Sequence, residues 1–450
     1  MTTVVIGGGV AGLTAARRLA ESGRDVVLLE ASAVLGGRVG SHELAGIPLD
    51  SGAESFAVRG GIVARLLGEV GLAGDVVDPI PGGAWIALKD RTVPLPAAGL
   101  LGIPSSPLAD EVRLVLGARG SARAYLDRVL PVLHVGRYRH LGPLVRARMG
   151  TAVLERLVAP VVESVYGADP DEVEIDAILP TLNAAITATG ALSAAVERLR
   201  AASPAGSAVQ GVQGGLLRLP QALAMDALAR GVRLVTGARV TTLAPGPLPG
   251  TWEVGTDDER LDATNVVVAV DGAAALDLLQ QALPHLLALA RPAPADSRVV
   301  TLLVEDARLD ARPRGSGVLR ASGRADVRAR ALTHLTAKWQ WLHDLLPPGQ
   351  HLLRLSYRGA DPVDDAEAGA DASSLLGVPL PAAIARDDAL WRDTLPPLAP
   401  ETLAARTAVD AQLQAVRGLV VTGSWRTGTG LAAVVSGAER AAAALTARRG

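Results

Sequence analysis

The stretch Thr3-Val4-Val5-Ile6-Gly7-Gly8-Gly9-Val10-Ala11-Gly12 joins a short β-branched run to a glycine-rich turn. Runs of this kind form buried parallel strands. From Ala11 to Ser22 apolar residues recur at helical spacing, and Asp25–Leu29 is predicted as a second strand that closes with Glu30. Strand, glycine turn, helix, strand and terminal acid in this order predict a β-α-β unit that binds a dinucleotide.

The three glycines of the G-x-G-x-x-G pattern have separate tasks. Gly7 permits the tight turn, Gly9 lets main-chain N–H groups approach a pyrophosphate, and Gly12 lets the helix pack closely on the strand. The start of the helix, at Val10 and Ala11, adds partial positive charge next to the phosphates. The turn is therefore predicted to bind the pyrophosphate through its main chain.

The residues after the second strand indicate which dinucleotide is bound. Glu30, followed by Ala31, is placed to accept hydrogen bonds from a ribose diol. Gly36 and Gly37 permit close approach of the backbone, and Arg38 offers a bidentate guanidinium to a second phosphate edge. This Glu-x5-Gly-Gly-Arg extension resembles the FAD-binding signature of the amine-oxidase-like flavoprotein superfamily. FAD is therefore the predicted cofactor.

Composition excludes several other classes of protein. The 450 residues are 49% hydrophobic and 20% charged, as in a globular chain long enough to enclose a ligand. The balance of 44 basic against 46 acidic residues, with 2% aromatic residues, argues against nucleic-acid binding. The chain has no cysteine, and its 7 histidines show no metal-ligand spacing, so no metal is predicted. Since no basic secretory segment or membrane-length apolar run occurs, a cytoplasmic location is expected.

Strand–glycine–helix patterns occur at both ends of the chain. The second one runs from Leu419 to Trp425 and precedes a predicted helix, Leu431–Arg448. The predicted fold class is therefore α/β (α+β overall), with a Rossmann-like FAD-binding domain built from both termini and a substrate domain inserted between them. The expected boundaries are 1–75, 206–280 and 401–450 for the FAD-binding domain, 76–95 and 281–400 for a mixed substrate-binding sheet, and 96–205 for a helical domain.

Local patterns predict further elements. Hairpins are predicted at Gly40–Leu49 and at residues 85–95. Ala201–Gly215 is rich in Ser and Gly and is predicted as a linker, and Trp252–Val270 is predicted to hold two strands. Asp361–Gly377 is acidic and is predicted as a loop before a helix.

Motifs along the rest of the chain point to one family within this superfamily. They are Gly52-Ala53-Glu54-Ser55-Phe56, Gly102-Ile103-Pro104-Ser105-Ser106, Glu163-Ser164-Val165-Tyr166-Gly167, Gly211-Val212-Gln213-Gly214-Gly215, and Gly423-Ser424-Trp425 with Gly428-Thr429-Gly430. With these motifs in order over essentially its whole length, the chain resembles the protoporphyrinogen/coproporphyrinogen oxidase family, FAD enzymes of haem synthesis. It is most similar to the actinobacterial and Gram-positive coproporphyrinogen III oxidases. The resemblance implies a six-electron oxidation of coproporphyrinogen III to coproporphyrin III, with O2 as acceptor and H2O2 as product.

The resemblance also implies which residues contact each ligand. It assigns no catalytic side chain, because the flavin carries the chemistry. For the substrate it implies Arg59 as a clamp on a carboxylate, Tyr166 in the pocket wall and Lys338 near the flavin; a solvated Arg, core packing and a surface Lys are the open alternatives. For FAD it implies Gly7, Gly9, Val10, Ala11, Gly12, Glu30, Ala31, Gly36, Gly37, Arg38, Gly52, Ala53, Glu54, Ser55, Val240, Ala269, Gly423, Ser424, Gly430, Leu431 and Ala432.

Two segments depart from the family pattern. Pro396–Glu401 lacks the usual Gln, Tyr and His, Ser424 replaces an Asn or Asp, and Gly430-Leu431-Ala432 replaces Gly-Val/Ile-Pro. Three alternatives therefore stay open: a protoporphyrinogen IX oxidase, another amine-oxidase-like flavoenzyme, and a non-catalytic FAD-binding paralogue. The apolar segment Leu95–Leu108 fits either a peripheral membrane contact or a wall of the pocket. Partner enzymes of haem synthesis and the oligomeric state are also left open.

Overall fold

The computed structural model of the protein describes residues 2–58, 60–130, 138–201, 209–287, 295–394 and 398–447. The chain forms two compact units. The first contains Met1–Asp78, Ser207–Ala295 and Arg392–Gly450, and the second contains Pro79–Gly206 and Asp296–Trp391. The second unit thus groups the predicted helical segment with most of the predicted substrate-binding sheet. The finer six-segment division stays a prediction.

A five-stranded parallel sheet forms the centre of the first unit. Neighbouring strands pair in parallel throughout. Strands from the beginning, the middle and the end of the chain are therefore adjacent in one sheet. The strand order across the sheet is Arg233–Val235, Asp25–Leu29, Thr2–Ile6, Asn265–Val268 and Leu419–Val421.

Both faces of this sheet are covered, which explains its β-branched strands. Val5 and Val267 belong to the core on one face, and Val4 and Val266 belong to the core on the other. All four side chains are fully buried. Each contributes about 1.5–3 kcal/mol of burial free energy on the usual area scale.

The remaining elements of the first unit surround this sheet. Its other strands are Ser41–Leu44, Ile47–Asp50, Phe56–Ala57, Val76–Val77, Val209–Val212, Val240–Pro245, Trp252–Thr256 and Arg260–Ala263. Its α-helices are Val10–Glu21, Ile62–Glu69, Arg218–Ala229, Gly272–Ala282, Pro400–Gln414, Ser424–Thr427 and Leu431–Ala447.

Two predictions for this unit were wrong. Within the predicted linker Ala201–Gly215, residues 202–208 lie outside the described part of the chain, but Val209–Val212 is a strand that pairs with Phe56–Ala57 and Val76–Val77. Main-chain N–H and C=O groups form the hydrogen bonds to both neighbouring strands, so the glycine in this segment does not prevent it from forming a strand. The stretch Trp252–Val270 holds three strands rather than two.

A seven-stranded mixed sheet forms the centre of the second unit. Leu302, Leu353 and Leu355 pack on one of its faces with residues of the helix Asp365–Leu376. The strand order is Ala385–Thr394, Ala295–Glu305, Gln350–Arg358, Ala331–His334, Gly317–Arg320, Ala84–Ala87 and Thr92–Pro94. The α-helices are Asp110–Tyr125, Leu141–Met149, Thr151–Val153, Ala159–Tyr166, Ile175–Ile178, Leu182–Thr189, Leu192–Ala201, Leu335–Lys338, Gln340–Leu345 and Asp365–Leu376.

The helix Asp365–Leu376 corrects the prediction of an acidic loop at Asp361–Gly377. The Asp364 carboxylate accepts a hydrogen bond from the Glu367 N–H (2.8 Å) and so caps the helix. Acidic residues also favour the positive end of a helix. The acidic residues that suggested a loop therefore stabilise the start of a helix. Both predicted hairpins are confirmed by antiparallel pairings.

The apolar segment Leu95–Leu108 packs largely on its own unit. Gly99–Leu100 and Ile103–Pro104 form a short antiparallel pair. Ile103 is fully buried, and a Cβ atom at Gly102 would lie 2.2 Å from the Leu157 carbonyl oxygen. Within the described ranges, no helix combines the length and the apolar character that a membrane crossing needs.

Candidate functional site

The turn after the first strand accommodates only glycine at two positions. Gly7 has φ +107°, and a Cβ atom there would lie 2.8 Å from the Ala269 carbonyl oxygen. A Cβ atom at Gly12 would lie 1.8 Å from the Gly7 carbonyl oxygen. Any larger residue at Gly12 must therefore push the helix away from the turn.

The helix Val10–Glu21 begins with uncapped N–H groups. Its N-cap residue is Gly9, no side chain caps it, and its first turn has no acidic residue. The free N–H groups and the helix dipole favour an anion at this end. The Gly36 N–H donates to the Gly8 carbonyl (2.9 Å), and a Cβ atom at Gly37 would lie 3.2 Å from the Gly9 Cα. Two stretches of bare backbone thus form a cradle beside the helix.

A cavity of about 830 Å³ lies at the carboxyl ends of the parallel strands, and all its lining residues belong to the first unit. This volume lies in the range of about 300–1,000 Å³ that is usual for cofactor sites. The glycine turn, the uncapped helix and the cavity together fit FAD. The predicted FAD residues that line the cavity are Gly7, Gly9, Val10, Ala11, Glu30, Ala31, Gly36, Gly37, Arg38, Ala53, Val240, Ala269, Gly423, Ser424 and Leu431.

Six of the predicted FAD residues are described but are not among the lining residues: Gly12, Gly52, Glu54, Ser55, Gly430 and Ala432. Gly12 acts on the site indirectly, because its lack of a side chain keeps the helix against the turn. Direct contacts of these six residues with FAD stay predictions.

The helix Gly272–Ala282 supplies lining residues that sequence reasoning missed. Ala274, Asp277 and Gln281 line the cavity at one-turn spacing. The helix follows the strand Asn265–Val268, whose carboxyl end lies at the edge where open α/β sheets bind ligands. That rule, applied to the helical spacing, is the signal that could have identified them.

Arg38 forms an ion pair with Asp271, which the sequence analysis also missed. Its Nη2 lies 3.1 Å from the Asp271 Oδ1, and both residues line the cavity. The side chains are 36% and 48% exposed, and ion pairs of this kind contribute only about 0–1 kcal/mol. A phosphate group of the cofactor can therefore replace the Asp271 carboxylate as the partner of the Arg38 guanidinium.

The Glu30 carboxylate is held in place at the end of the second strand. It accepts hydrogen bonds from the Gly8 N–H (2.6 Å), the Ser32 N–H (2.8 Å) and the Ser32 hydroxyl (2.7 Å). Glu30 stays partly exposed and lines the cavity. The backbone therefore orients this acceptor before any ligand binds.

We expect Glu30→Gln to weaken FAD binding about 10- to 100-fold, because a charged hydrogen-bond acceptor is worth about 1.5–3 kcal/mol. Titration of the apoprotein with FAD, followed by flavin fluorescence, measures the change. The matched control is Glu43→Gln, since Glu43 is exposed on the hairpin. An unchanged Kd for Glu30→Gln would contradict a ribose contact.

The predicted substrate residues that are described belong to the second unit. Arg59 lies outside the described residues. Tyr166 ends the helix Ala159–Tyr166, and burial raises the pKa of its hydroxyl. Lys338 ends the helix Leu335–Lys338, and its Nζ lies 5.0 Å from the ring centroid of Trp339. Their contacts with substrate stay predictions.

Two histidines form a buried hydrogen-bonded chain. The His334 Nε2 lies 3.0 Å from the His351 Nδ1, which also lies 3.1 Å from the Thr336 hydroxyl. The His351 Nε2 lies 3.1 Å from the Asp310 Oδ1. His134 lies outside the described residues, and His140 is the N-cap residue of Leu141–Met149. In the described part of the chain, no group of three His, Cys, Asp or Glu side chains could hold a metal ion.

Acid is expected to destabilise the protein through His334. Burial, assisted by the neighbouring His351, lowers the pKa of His334 to about 3. An unfolded histidine has a pKa of about 6.5, so the unfolded chain takes up a proton that the folded chain refuses. The contribution of neutral His334 to the free energy of unfolding is therefore fully present above about pH 6.5, and it is lost as the pH falls toward the pKa of about 3 in the folded protein.

Between pH 7.5 and 5.0 we therefore expect the free energy of unfolding to fall by about 2 kcal/mol from this residue, at about 1.4 kcal/mol per pH unit below 6.5. Urea unfolding at both pH values measures it. His334→Leu should remove most of this dependence. The same pH slope in both proteins would show that His334 is not its source.

Comparisons with known proteins identify the family of the chain. The model of the flavin containing amine oxidoreductase family matches residues 10–446. A coproporphyrinogen III oxidase of Mycobacterium leprae is 33% identical over 461 residues, which cover 98% of each chain. A chloroplastic protoporphyrinogen oxidase of Oryza sativa subsp. japonica is 32% identical over 186 residues, 39% of this chain and 32% of that one.

The fold is also that of a solved structure. The crystal structure of a protein from Exiguobacterium sp. 255-15 has a TM-score of 0.83 at 22% identity and covers 100% of this chain and 99% of its own. The match to the family extends over nearly the whole chain, and the protein is an FAD-dependent oxidoreductase. The chain belongs to the flavin-containing amine oxidoreductase family, and a mycobacterial coproporphyrinogen III oxidase is similar to it over nearly its full length.

Proposed function

We propose that this protein oxidises coproporphyrinogen III to coproporphyrin III in haem synthesis, with FAD as cofactor and O2 as electron acceptor. The observation that carries the proposal is the full-length similarity to the mycobacterial coproporphyrinogen III oxidase. The glycine cradle and the cavity support it, because the reaction needs a bound flavin.

The overall reaction balances in three equal rounds. Each round removes two electrons and two protons from the macrocycle and reduces one O2 to H2O2. When bound, FAD supplies the two-electron chemistry that links substrate to O2. One porphyrin therefore forms for every three H2O2.

The chain's own residues hold the cofactor. The turn at Gly7 and Gly9 would take the pyrophosphate, and Glu30 would take a ribose. Gly423 and Leu431, at the other chain end, would hold the flavin part. Leu431 begins the helix Leu431–Ala447, whose positive end favours negative charge next to it. We assign no side chain as a base, since pyrrole protons can leave to solvent.

The proposal is tested by adding coproporphyrinogen III to the purified holoprotein in air. We expect porphyrin fluorescence to rise well above the rate of spontaneous oxidation, with three H2O2 formed per porphyrin. The protein stripped of FAD is the control for the spontaneous rate. A holoprotein that gives only that rate would contradict the proposal.

A second candidate substrate is protoporphyrinogen IX, because part of the chain is similar to the protoporphyrinogen oxidase of Oryza sativa. The ratio of kcat/KM for the two porphyrinogens decides between them, and we expect coproporphyrinogen III to be preferred. A non-catalytic paralogue would instead stay yellow when any porphyrinogen is added without oxygen. The segment Pro396–Glu401, which departs from the family pattern, motivates this alternative. Its residues Pro396 and Pro397 lie outside the described part of the chain, and the helix Pro400–Gln414 begins at its end.

A further inference from the structure

The strand Gln350–Arg358 presents arginines on one face of the seven-stranded sheet. On the strand Gln350–Arg358, Leu353 and Leu355 belong to the apolar core. The alternate residues Arg354, Ser356 and Arg358 project from the other face, because side chains alternate along a strand. At this end of the strand, that face therefore carries positive charge.

Arg330 lies just before the strand Ala331–His334, and its main-chain N–H donates to the Ser356 carbonyl oxygen (2.8 Å). Its Nη1 donates to the carbonyl oxygen of Glu163 on the helix Ala159–Tyr166, at 3.3 Å. The residue is partly buried, and no carboxylate among the described residues lies within 4.0 Å of its guanidinium. A guanidinium removed from water without an acid is unfavourable unless an anion joins it.

Neighbouring guanidinium groups make the charged form of Arg330 still less favourable. Burial lowers the pKa of Arg330, the Glu163 charge opposes the shift, and the guanidinium groups of Arg358 and Arg320 lower it further. Arg358 is exposed and has no partner among the described residues. Tyr166 lies one helical turn beyond Glu163.

Arg148 is the contrasting case, because it pairs with the buried Asp127 carboxylate at 2.7 Å. The other N–H groups of Arg330 are not among the buried unpartnered atoms of the described residues. Arg330 thus combines partial burial, positive neighbours and the lack of a carboxylate within 4.0 Å among the described residues.

We propose that Arg330, assisted by Arg358, binds a carboxylate of the substrate. The proposal rests on the proposed function, since coproporphyrinogen III carries four carboxylates. A planar guanidinium binds a carboxylate through two parallel hydrogen bonds, which fixes the orientation of the arm as well as its position. The anion would also pair with a charge that has no carboxylate of the described residues within 4.0 Å.

Arg330→Gln in the holoprotein tests this directly. We expect its affinity for the product, coproporphyrin III, to fall about 10- to 100-fold, as for the loss of a charge-assisted pair. KM for coproporphyrinogen III should rise similarly, while kcat, FAD content and the unfolding temperature stay close to those of the parent. Arg330→Lys should restore part of the affinity, and Arg358→Gln should have a smaller effect.

Two controls isolate the carboxylate. The tetramethyl ester of coproporphyrin III lacks the charge, so the parent and Arg330→Gln should bind it equally. Arg260→Gln removes a guanidinium whose side chain is 77% exposed and should change nothing.

Three outcomes overturn the assignment. If Arg330→Gln binds coproporphyrin III as tightly as the parent, this assignment fails while turnover by the parent still supports the proposed function. If kcat, FAD content and unfolding temperature fall together, and Arg330→Lys does not restore affinity, the residue is structural. If the parent itself neither binds coproporphyrin III nor oxidises the porphyrinogen, both the function and this assignment fail.

Discussion

Replacing Gly12 with alanine is expected to give a colourless protein. The new Cβ atom would lie 1.8 Å from the Gly7 carbonyl oxygen, so the helix must move away from the turn that carries the N–H donors. Overpacking of this kind costs about 1–3 kcal/mol, and sometimes more. Since the phosphate contacts are lost at the same time, FAD should bind at least about 100-fold more weakly.

Flavin absorbance of the purified protein and titration of the apoprotein with FAD measure this effect. Gly68→Ala is the matched control, because Gly68 also lies within a helix but a Cβ atom there would meet no other atom within 4 Å. That substitution should leave FAD binding intact and raise helix stability by up to about 1 kcal/mol. A yellow Gly12→Ala protein with the affinity of the parent would contradict the role of the turn.

Replacing Asp127 with asparagine is expected to lower the free energy of unfolding by about 3–5 kcal/mol. The carboxylate is fully buried and accepts hydrogen bonds from the Arg148 Nε (2.7 Å), the Leu192 N–H (3.0 Å), the Ser193 N–H (2.7 Å) and the Ser193 hydroxyl (2.9 Å). Asparagine keeps the shape, but it offers one acceptor oxygen and leaves the Arg148 charge buried without an acid.

Urea unfolding at neutral pH measures this loss, and FAD content separates it from damage to the cofactor site. Asp110→Asn is the control, because the Asp110 side chain is fully exposed and lies 3.9 Å from Arg113. It should change the free energy of unfolding by no more than about 1 kcal/mol, the usual effect of an acidic residue at the start of a helix. Equal curves for Asp127→Asn and the parent would show that the pair contributes nothing to stability.

Local signals in the sequence were reliable where the chemistry is local. The run from Thr3 to Glu30 gave the strand, the turn, the helix and the acid in the right order, because a glycine turn and its helix depend on neighbouring residues. The hairpin around Ala45-Gly46 is of the same kind, with both residues at positive φ.

Signals failed where a distant partner decides the structure. Val209–Val212 resembles a linker, and it becomes a strand because Phe56–Ala57 and Val76–Val77 pair with its backbone. The acidic residues around Asp364 resemble a loop, and they form a helix start because Ala372 and Leu375 pack beneath the sheet.

The sequence by itself determined that the chain binds a dinucleotide and which residues form the turn for it, since bare backbone at fixed spacing is a property of the local chain. Only the tertiary structure decided that Asp271 would pair with Arg38 and that Gln281 would line the cavity. It alone also placed the Arg330 guanidinium at the Glu163 carbonyl oxygen and near the positive charge of Arg358, with no carboxylate of the described residues within 4.0 Å. These arrangements depend on which distant strands become neighbours, and packing of the whole unit fixes that choice.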